Sequence, residues 1–513
     1  MPVEVHSLPP DLDGCHALIG ELVRELDVRN RMVRQLQHQV EQLLRARYGQ
    51  KRECVDENQL FFEALAEVRN AVGGPEEAAV TSPETPPPNA PRRGHGRRRL
   101  PENLERRRTV YDLTVEQQRC PCCAQAMNYI GEEVSERLDF VPASLFVSED
   151  VCRKYACPRG CTVRTAGKPT APIEKGLPGP GLLAQVTVAK YADHLPLARQ
   201  EGIYRRQGVT LARSTLSDWM RAGAELLWLL YRQMQTRVLS SKCVQTDDTP
   251  VAVFDPEMSH TRNGRIWTYV GDAANPYIVY AYTPTREQAG PAAFLAAFRG
   301  YLQADAYAGY DNLFAEPDRG ITEVACWAHA RRKFFEAQTS DLMRAMVMLA
   351  YIRLLYAVER EAKERRLDGP GRLALRHEKS LPLLDGIERY LRIEQPKVLP
   401  KSPIAEAIGY ALNNWEALRR YTTDGDLEID NNAAERALRG IAVGRKNWLF
   451  FGSDGGGQTA AVLTSFTASC KRLHIDPFAY LRDLFTRIND HPVNRLDELL
   501  PDRWQAARAA NTS

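Results

Sequence analysis

The sequence predicts a multidomain α+β protein whose central α/β core is interrupted by a helical insertion. The chain has 513 residues, more than one hydrophobic core usually holds together. Its β-branched and aromatic segments lie almost entirely within residues 240–333, and helical patterns rich in Leu, Arg and Glu lie on both sides. We therefore expect a coiled coil, a cysteine-containing module and a helical domain ahead of the core.

Composition and cysteine usage are those of an intracellular globular protein. Hydrophobic residues make up 44% and charged residues 26%, and the net charge of +3 identifies no partner because binding depends on where charge is concentrated. The sequence has neither an apolar leader nor a run of 18 apolar residues, so we expect a cytoplasmic protein without a membrane span. Eleven cysteines, an odd number, argue against a disulfide framework.

Residues 16–48 carry a heptad repeat. Its two apolar rows are occupied by Ile19, Leu26, Val33 and Val40, and by Leu22, Leu36 and Leu43. Arg29 interrupts the second row. Such a seam favours a coiled coil with a second copy of the chain, whereas the alternative is an amphipathic helix packed on its own domain. We therefore expect a homo-oligomer.

Residues 73–110 form a segment rich in proline and then in arginine. The run TSPETPPPNAPRR cannot form regular structure because proline fixes φ and lacks a donor. Between residues 92 and 108, eight arginines stand against two glutamates. Such a tract neutralises nucleic-acid phosphates, although a solvated linker has the same composition. The candidate DNA contacts here are Arg93, Arg97, Arg98 and Arg99.

Two cysteine pairs within residues 111–170 have the spacing of a structural zinc site. Cysteines separated by two or three residues each hold one side of a tetrahedral Zn²⁺ ion, and four thiolates close the site. The expected ligands are Cys120, Cys123, Cys157 and Cys161. Cys122 is an alternative to Cys120. Residues 133–157 alternate apolar and polar side chains, which predicts a short hairpin between the pairs.

Residues 180–238 predict helices with the proportions of a helix-turn-helix domain. The first covers residues 182–196, Pro196 opens the second, and Gly208 ends it. In a helix-turn-helix the later helix enters the major groove of DNA. Many helical hairpins have the same spacing without binding DNA, so both readings stay open.

The next predicted helix runs without a break from residue 214 to residue 234, with Thr210 or Ser214 as its cap. Its first turn would face the groove if the domain binds DNA. Arg213 and Ser214 are therefore candidate DNA contacts.

Five segments after residue 240 predict strands. They are KCVQTDDTPVAVF, RIWTYVGD, YIVYAYTP, YLQADAYAGY and ITEVACWAHA. The first three follow one another closely, as in an antiparallel meander, and the helix PAAFLAAF precedes the fourth. This order is that of an RNase H-like fold. Asp247 lies in the first strand and Asp305 ends the fourth, and in such a sheet these strands are neighbours.

A helical block separates the fifth strand from a further helix of the core. Residues 334–425 predict this insertion. Residues 426–450 contain the helix that carries Glu435, with Asp430 or Asn431 as its cap. We expect this helix to bring Glu435 to the two aspartates.

The last part of the chain, residues 451–513, predicts a C-terminal helical element. The glycines at 452–457 lack the Lys-Ser/Thr pair of a phosphate-binding loop and predict a flexible turn before the first helix. Trp448, Phe450 and Phe451 are expected in the hydrophobic core.

Three carboxylates on one fold point to phosphodiester chemistry. In-line attack on phosphorus uses two divalent ions about 4 Å apart, which activate the attacking oxygen and neutralise the leaving one. Mg²⁺ prefers carboxylate oxygens and retains several waters, so Asp247, Asp305 and Glu435 would suffice as ligands of Mg²⁺ or Mn²⁺. Each of these residues taken alone has the ordinary alternative of a surface or capping carboxylate.

Basic residues lie close to the acidic ones in sequence. They can bind phosphate, arginine in a bidentate manner, and His329 can orient a water or a strand end. A solvated helix start is the alternative. The candidates are His329, Arg331, Arg332, Lys333, Arg436, Arg439, Arg445 and Lys446.

Long strings of the sequence closely resemble the transposase of the insertion sequence 66 family. They include DDTPVAVF, LQADAYAGYDNLF, ACWAHARRKFFEA, LEIDNNAAERALRGIAVGRKNWLFFGSD and DPFAYLRDLFTRINDHPVNRLDELLP, and the similarity covers residues 16–504. The family usually has Asp-Glu-Thr-Pro where this chain has Asp247-Asp248-Thr249-Pro250. The resemblance implies Asp247 as the ligand and Asp248 as a supporting group, and the alternative is that the two exchange roles. The family usually has an arginine-proline pair after the helix that carries its Glu, and this chain has Arg439-Gly440 there.

The resemblance implies a DDE-type enzyme with an RNase H-like fold that acts at the terminal inverted repeats of its own element. Its first Asp falls on Asp247, its second on Asp305 and its Glu on Glu435. The resemblance also implies two small accessory proteins encoded by the same element. The alternatives are a DNA-binding regulator without catalysis and a nuclease of the same fold that does not join strands.

Overall fold

The computed structural model describes residues 170–510 apart from Lys175, Ser259 and Glu316. Ahead of residue 170 it describes Leu26, Arg29, Met32 and residues 145–147, 154–156 and 163–165. Leu26, Arg29 and Met32 are helical. The rest of the predicted coiled coil lies outside the described residues, as do the linker arginines and the two cysteine pairs.

The chain divides into two compact units, one formed by Met1–Gly74 and Glu149–Ser513 and the other by Pro75–Ser148. Of the second unit the structure describes residues 145–147, which are exposed and belong to no helix or strand. Every helix and strand of the described residues belongs to the first unit.

The first described element of regular structure is a small antiparallel hairpin. It consists of β1 (Lys154–Ala156) and β2 (Val163–Thr165), with Lys154 opposite Thr165. The hairpin predicted for residues 133–157 lies mostly outside the described residues, and only β1 at its end belongs to a described strand. The described hairpin encloses the second cysteine pair in sequence.

Helices follow the hairpin. They are α1 (Pro180–Tyr191), α2 (Leu197–Arg206), α3 (Arg213–Leu226) and α4 (Trp228–Leu239). Gly208, at φ +83°, ends α2 as expected, because a residue with a Cβ adopts that conformation at a cost. The single helix predicted beyond it is wrong, since Leu227 separates α3 from α4. The predicted cap is wrong too: Ala212 holds the cap position of α3 without a side-chain hydrogen bond.

A mixed sheet of five strands forms the centre of the described chain. The strands are β3 (Cys243–Val253), β4 (Arg262–Val270), β5 (Ile278–Thr283), β6 (Gly300–Ala304) and β7 (Ile321–Ala325). Their order is β5-β4-β3-β6-β7, with β3 to β5 antiparallel and β6 and β7 parallel to β3. All five predicted strands are present, and the first and fourth are neighbours as expected. Two short helices, α5 (Ala289–Phe294) and α6 (Asp311–Ala315), flank β6.

Helices fill the chain between β7 and the helix that carries Glu435. They are α7 (Trp327–Ala337), α8 (Leu342–Glu364), α9 (Gly369–Leu375), α10 (Leu381–Glu394), α11 (Pro403–Asn413) and α12 (Trp415–Arg419). A five-residue π-helical turn, Arg376–Ser380, joins α9 to α10. Apart from α9, these helices form with β7 a separate hydrophobic cluster around residues such as Trp327, Tyr351 and Trp415.

The helix that carries Glu435 is α13 (Asn432–Trp448). It packs through Leu438 and Ile441 against Val251 and Ile266 of the sheet. Beyond it, Phe451 forms a parallel bridge with Val253. The C-terminal helices are α14 (Asp454–Arg472), α15 (Pro477–Arg487) and α16 (Pro501–Ala510).

The predicted glycine turn is wrong, since α14 begins at Asp454 and takes the glycines into its first turn. Close packing explains the last of them: a Cβ at Gly457 would lie 2.6 Å from the Tyr282 ring. Phe451 is buried as predicted and Trp448 stacks on it, but Phe450 is 46% exposed. No described helix is both long and apolar enough to cross a bilayer.

Candidate active site

The first two predicted carboxylates lie on neighbouring strands. In the parallel pair β3–β6, Gln245 is the last residue with a partner, and that partner is Gln303. Asp247 and Asp305 each follow two residues later in the same strand direction. The register therefore brings both aspartates to the same edge of the sheet, where the strands separate.

Asp247 and Asp248 point to opposite faces of β3, because successive side chains of a strand alternate. The Asp248 side chain is 3% exposed and forms ion pairs of 2.9 Å with both Arg265 and Arg286. Arg286 approaches from the loop after β5 and also lies over the Tyr307 ring, 3.9 Å from its centre. The Asp248 carboxylate is thus neutralised by two guanidinium groups.

The environment of Asp247 disfavours its charged form. The pKa of its carboxyl is raised to about 7, first by burial and then by the nearby carboxylates of Asp305, Asp248 and Glu435, while the backbone N–H of Asp248 opposes the shift. That N–H donates to Asp247 Oδ1 at 2.8 Å. The pKa of Asp305 is also raised, first by burial. These carboxylates are partly buried and repel one another.

Glu435 lies in the first turn of α13 and faces α7. Its Oε1 is 3.6 Å from His329 Nε2, and its Oε2 is 3.8 Å from the Arg332 guanidinium. Within the described chain, Glu435 Oε1 and His329 Nδ1 are buried without a hydrogen-bond partner. Burial lowers the pKa of His329, although Glu435 and Asp305 oppose that shift. His329 is therefore mainly neutral near pH 7.

Contacts from three strands and from the insertion fix α13. Asn431 occupies its cap position without a side-chain cap, and the Asp430 carboxylate instead accepts the Asn432 N–H at 3.1 Å. Tyr356 of α8 donates its hydroxyl to the same carboxylate at 2.8 Å. Midway along the helix, the Tyr280 hydroxyl donates to the Ala437 carbonyl at 2.8 Å.

The predicted DNA contacts near the site fall into different environments. Arg436, Arg439 and Lys446 are exposed on α13. Arg445 instead donates to Thr249 Oγ1 at 2.9 Å and to the Pro250 carbonyl at 2.7 Å, so it holds α13 against β3. On α7, Lys333 lies 5.6 Å from the centre of the Tyr410 ring.

Two groups around the site were missed by the sequence reasoning. They are Arg265 and Arg286, which neutralise the Asp248 carboxylate. Nothing in the sequence around Arg286 indicates that it pairs with Asp248. The pairing of Arg265 with Asp248 could have been predicted from the strand register. When β4 pairs with β3, Arg265 lies opposite Pro250 and therefore diagonal to Asp248 on the same face. In the helical domain, Arg213 and Ser214 are exposed in the first turn of α3, as DNA contacts would need to be.

Comparison with protein families identifies the chain. The profile of the Transposase IS66 family matches residues 175–459, more than half of the sequence. The chain belongs to this transposase family. Three further profiles of this transposase match in order: "Transposase C of IS166 homeodomain" at residues 35–109, the "zinc-finger binding domain of transposase IS66" at 117–161, and the "IS66 C-terminal element" at 465–501.

Relatives of this IS66 transposase family member occur in Sinorhizobium fredii strain NGR234. The uncharacterized protein y4hP is 34% identical over 504 residues, which cover 93% of this chain and 89% of the relative. The uncharacterized protein y4qI is 33% identical over 539 aligned residues, which cover 98% of each chain. The zinc-finger match supports zinc binding by the module that contains both cysteine pairs.

The candidate site has the donor chemistry of a hard divalent ion. Asp247, Asp305 and Glu435 offer carboxylate oxygens, and Glu435 Oε1 is a buried acceptor without a donor. In the described chain no three His, Cys, Asp or Glu side chains converge closely enough to hold an ion. Glu435 lies against His329 and Arg332 instead. The residues fit a metal chemically, and its binding would require Glu435 to turn towards the aspartates.

Proposed function

We propose that this IS66 family member cleaves DNA at the terminal inverted repeats of its own element and joins the resulting 3′ ends to target DNA. The observation that carries the proposal is the placement of Asp247 and Asp305 at one edge of the sheet. Glu435 acts electrostatically on both of them. The strand order β5-β4-β3-β6-β7, with three antiparallel strands followed by two parallel ones, supports an RNase H-like core.

Asp247, Asp305 and Glu435 would hold Mg²⁺ or Mn²⁺. A divalent ion bound there supplies a Lewis acid for the attacking and leaving oxygens of a phosphodiester. In the first reaction, water attacks phosphorus at the element's end and the leaving oxygen becomes a 3′-hydroxyl. In the second, that hydroxyl attacks a target phosphodiester in line, so one bond forms as another breaks and no covalent enzyme intermediate arises.

The chain's own side chains prepare this cleft for a phosphate group. His329 is neutral near pH 7 and can accept a hydrogen bond from an attacking hydroxyl. Arg332 carries positive charge to the same cleft, 3.8 Å from Glu435. Arg436 and Arg439 are exposed on the first turns of α13 and suit contacts with the DNA backbone. Asp248 is neutralised by its two arginines and leaves Asp247 as the ligand on β3.

The other modules supply DNA binding and assembly in this proposal. Cys120, Cys123, Cys157 and Cys161 hold a structural Zn²⁺ within the matched zinc-finger domain. The linker arginines and the first turn of α3 contact terminal-repeat DNA. The heptad segment 16–48 joins two copies of the chain. The element's two accessory proteins complete the assembly.

The decisive experiment is cleavage of a terminal-repeat duplex by purified protein. Asp247→Asn, Asp305→Asn and Glu435→Gln should each abolish metal-dependent cleavage and leave duplex binding within about threefold of wild type. Asp311→Asn, at an exposed carboxylate on α6, is the matched control and should retain activity. Full cleavage by any of the three variants would remove that residue from the site.

Two other functions make different forecasts in the same assay. A DNA-binding regulator would bind the repeat and produce no nick with Mg²⁺ or Mn²⁺. A nuclease of the same fold would cut the repeat, yet its 3′ ends would never become linked to target DNA. Labelling the 3′ end and following its transfer separates these functions from transposition.

A further inference from the structure

Two buried glutamines lie directly beneath the aspartates. Gln245 of β3 and Gln303 of β6 face each other across the parallel pair, two residues before Asp247 and Asp305 respectively. Gln303 is fully buried and Gln245 is 9% exposed. Gln245 Nε2 donates to Gln303 Oε1 at 3.0 Å, so the two amides form one unit.

Both amides reach the segment that leads into α13. Gln303 Nε2 donates to the Glu428 carbonyl at 2.7 Å, and Gln245 Nε2 donates to the Asp430 carbonyl at 3.2 Å. Asn431 is fully buried, and its Nδ2 donates to the Thr246 carbonyl of β3 at 3.2 Å. Three side-chain amides thus tie residues 428–431 to the strands that carry the aspartates. We call Gln245, Gln303 and Asn431 the amide clamp.

The chemistry of these positions needs an explanation beyond packing. A buried amide is costly to desolvate unless its hydrogen bonds are made, and apolar side chains would fill the sheet's interior without that cost. Gln245 uses both of its N–H groups, one on Gln303 and one on the Asp430 carbonyl, although its Oε1 has no partner in the described chain. The bonds from Gln245 and Gln303 to the segment end on its backbone carbonyls, so these two bonds do not depend on the side chains of residues 428 and 430.

We propose that Gln245 and Gln303 are positioning residues that set the distance of Glu435 from Asp247 and Asp305, and thereby the affinity of the site for a divalent ion. This inference rests on the proposed function. Glu435 follows Asn431 by four residues, so a displacement of the segment moves the first turn of α13 with it. The Tyr280 and Arg445 contacts hold the rest of the helix, so losing the clamp shifts Glu435 without detaching α13.

The test is Mn²⁺ binding to the full-length protein without DNA, measured by electron paramagnetic resonance of the free ion. Gln303→Met and Gln245→Met keep the side-chain length and remove the amide. We expect each to weaken Mn²⁺ binding about tenfold, the scale on which supporting contacts tune a metal site. Cleavage by both variants should recover in part as Mn²⁺ is raised.

Gln200→Met is the matched control. Gln200 of α2 is also a buried glutamine, and its Nε2 donates to the Leu195 carbonyl at 3.0 Å, away from the site. This substitution should lower the melting temperature as much as the clamp variants do and leave Mn²⁺ affinity at the wild-type value. A purely structural role for Gln245 and Gln303 would give all three variants the same behaviour.

The outcomes separate this inference from the function on which it rests. Wild-type Mn²⁺ affinity in both folded clamp variants would overturn the positioning role and leave the transposase proposal intact. A wild-type protein that neither binds Mn²⁺ nor cleaves the repeat would overturn both. If Gln303→Met fails to fold, Gln245→Met decides, because it keeps the shorter bond from Gln303 to the Glu428 carbonyl.

Discussion

Replacing Asp247 by asparagine should stabilise the metal-free protein at pH 8. Burial first, and then the neighbouring carboxylates, raise the pKa of Asp247 from 3.8 to about 7 in the folded chain. A carboxyl whose folded pKa lies above its unfolded value stabilises the fold fully below the unfolded pKa, and that contribution is lost as pH rises through 7. Above pH 7 the folded protein therefore carries a buried charge that asparagine would remove.

The size of the effect follows from the pKa shift. A rise from 3.8 to about 7 is roughly three pKa units, or about 4 kcal/mol at about 1.4 kcal/mol per unit, as an upper bound. Asp247 is only partly buried, so solvent reduces this to about 2 kcal/mol. For a unit of this size the melting temperature should rise by about 2 °C.

The assay is thermal unfolding of wild type and Asp247→Asn in EDTA at pH 5 and pH 8. The variant should melt only slightly higher than wild type at pH 5, where the carboxyl of Asp247 is protonated in the folded chain but already ionised in the unfolded chain. Its advantage should be larger at pH 8, where the folded carboxyl is ionised as well. Adding Mn²⁺ at pH 8 should stabilise wild type and leave the variant unchanged, because a ligand stabilises only the state that binds it. Equal melting temperatures at pH 8 in EDTA would refute the reasoning.

The neighbouring residue provides the matched control for this experiment. Asp248 is buried between Arg265 and Arg286, so Asp248→Asn leaves two guanidinium groups without their anion. That substitution should destabilise the protein at both pH values, the opposite of Asp247→Asn at pH 8. Adjacent carboxylates on one strand would then respond in opposite directions.

Other substitutions have expected outcomes that follow from single contacts. Arg376→Leu should cost about 3–5 kcal/mol of stability, as measured by urea unfolding, because the Glu359 carboxylate loses its nearest cation and the carbonyls at 421, 424 and 427 lose their donors. Glu359 would keep only the longer contact of 3.6 Å with Arg372. Arg439→Ala and Lys446→Ala should each weaken repeat binding and reduce the slope of log affinity against log salt by about one, as measured by titration at several salt concentrations. Arg445→Ala should instead lower the melting temperature and leave the salt slope unchanged.

The sequence predicted the sheet well because its strands differ from their surroundings in local composition. The five β-branched and aromatic segments became β3 to β7, and Gly208 ended α2. Local composition does not report tertiary contacts, which is why the glycines at 455–457 were taken for a turn. They lie in α14, where Gly457 packs against the Tyr282 ring.

The candidate site, too, depends on tertiary contacts that local sequence does not indicate. Asp247 and Asp305 could be placed on neighbouring strands from the order of the elements. The Asp248 carboxylate forms an ion pair with Arg286, which lies in a loop 38 residues further along the chain. No pattern of spacing in the sequence predicts that pairing. The segment that leads into the helix of Glu435 accepts a hydrogen bond at the Glu428 carbonyl from Gln303, which lies 125 residues earlier. Such contacts arise only once the chain has folded.

The long reach of the amide clamp also has a consequence for the timing of synthesis. Gln245 bonds to the carbonyl of a residue 185 positions further along the chain. At about 5–20 residues per second, a ribosome needs roughly 10–40 s to make that stretch. The segments ahead of β3 leave the ribosome first, so a nascent or truncated chain carries the zinc-finger and helical modules before Glu435 has been added. The proposed set of three carboxylates is therefore complete only when nearly the whole chain has been translated.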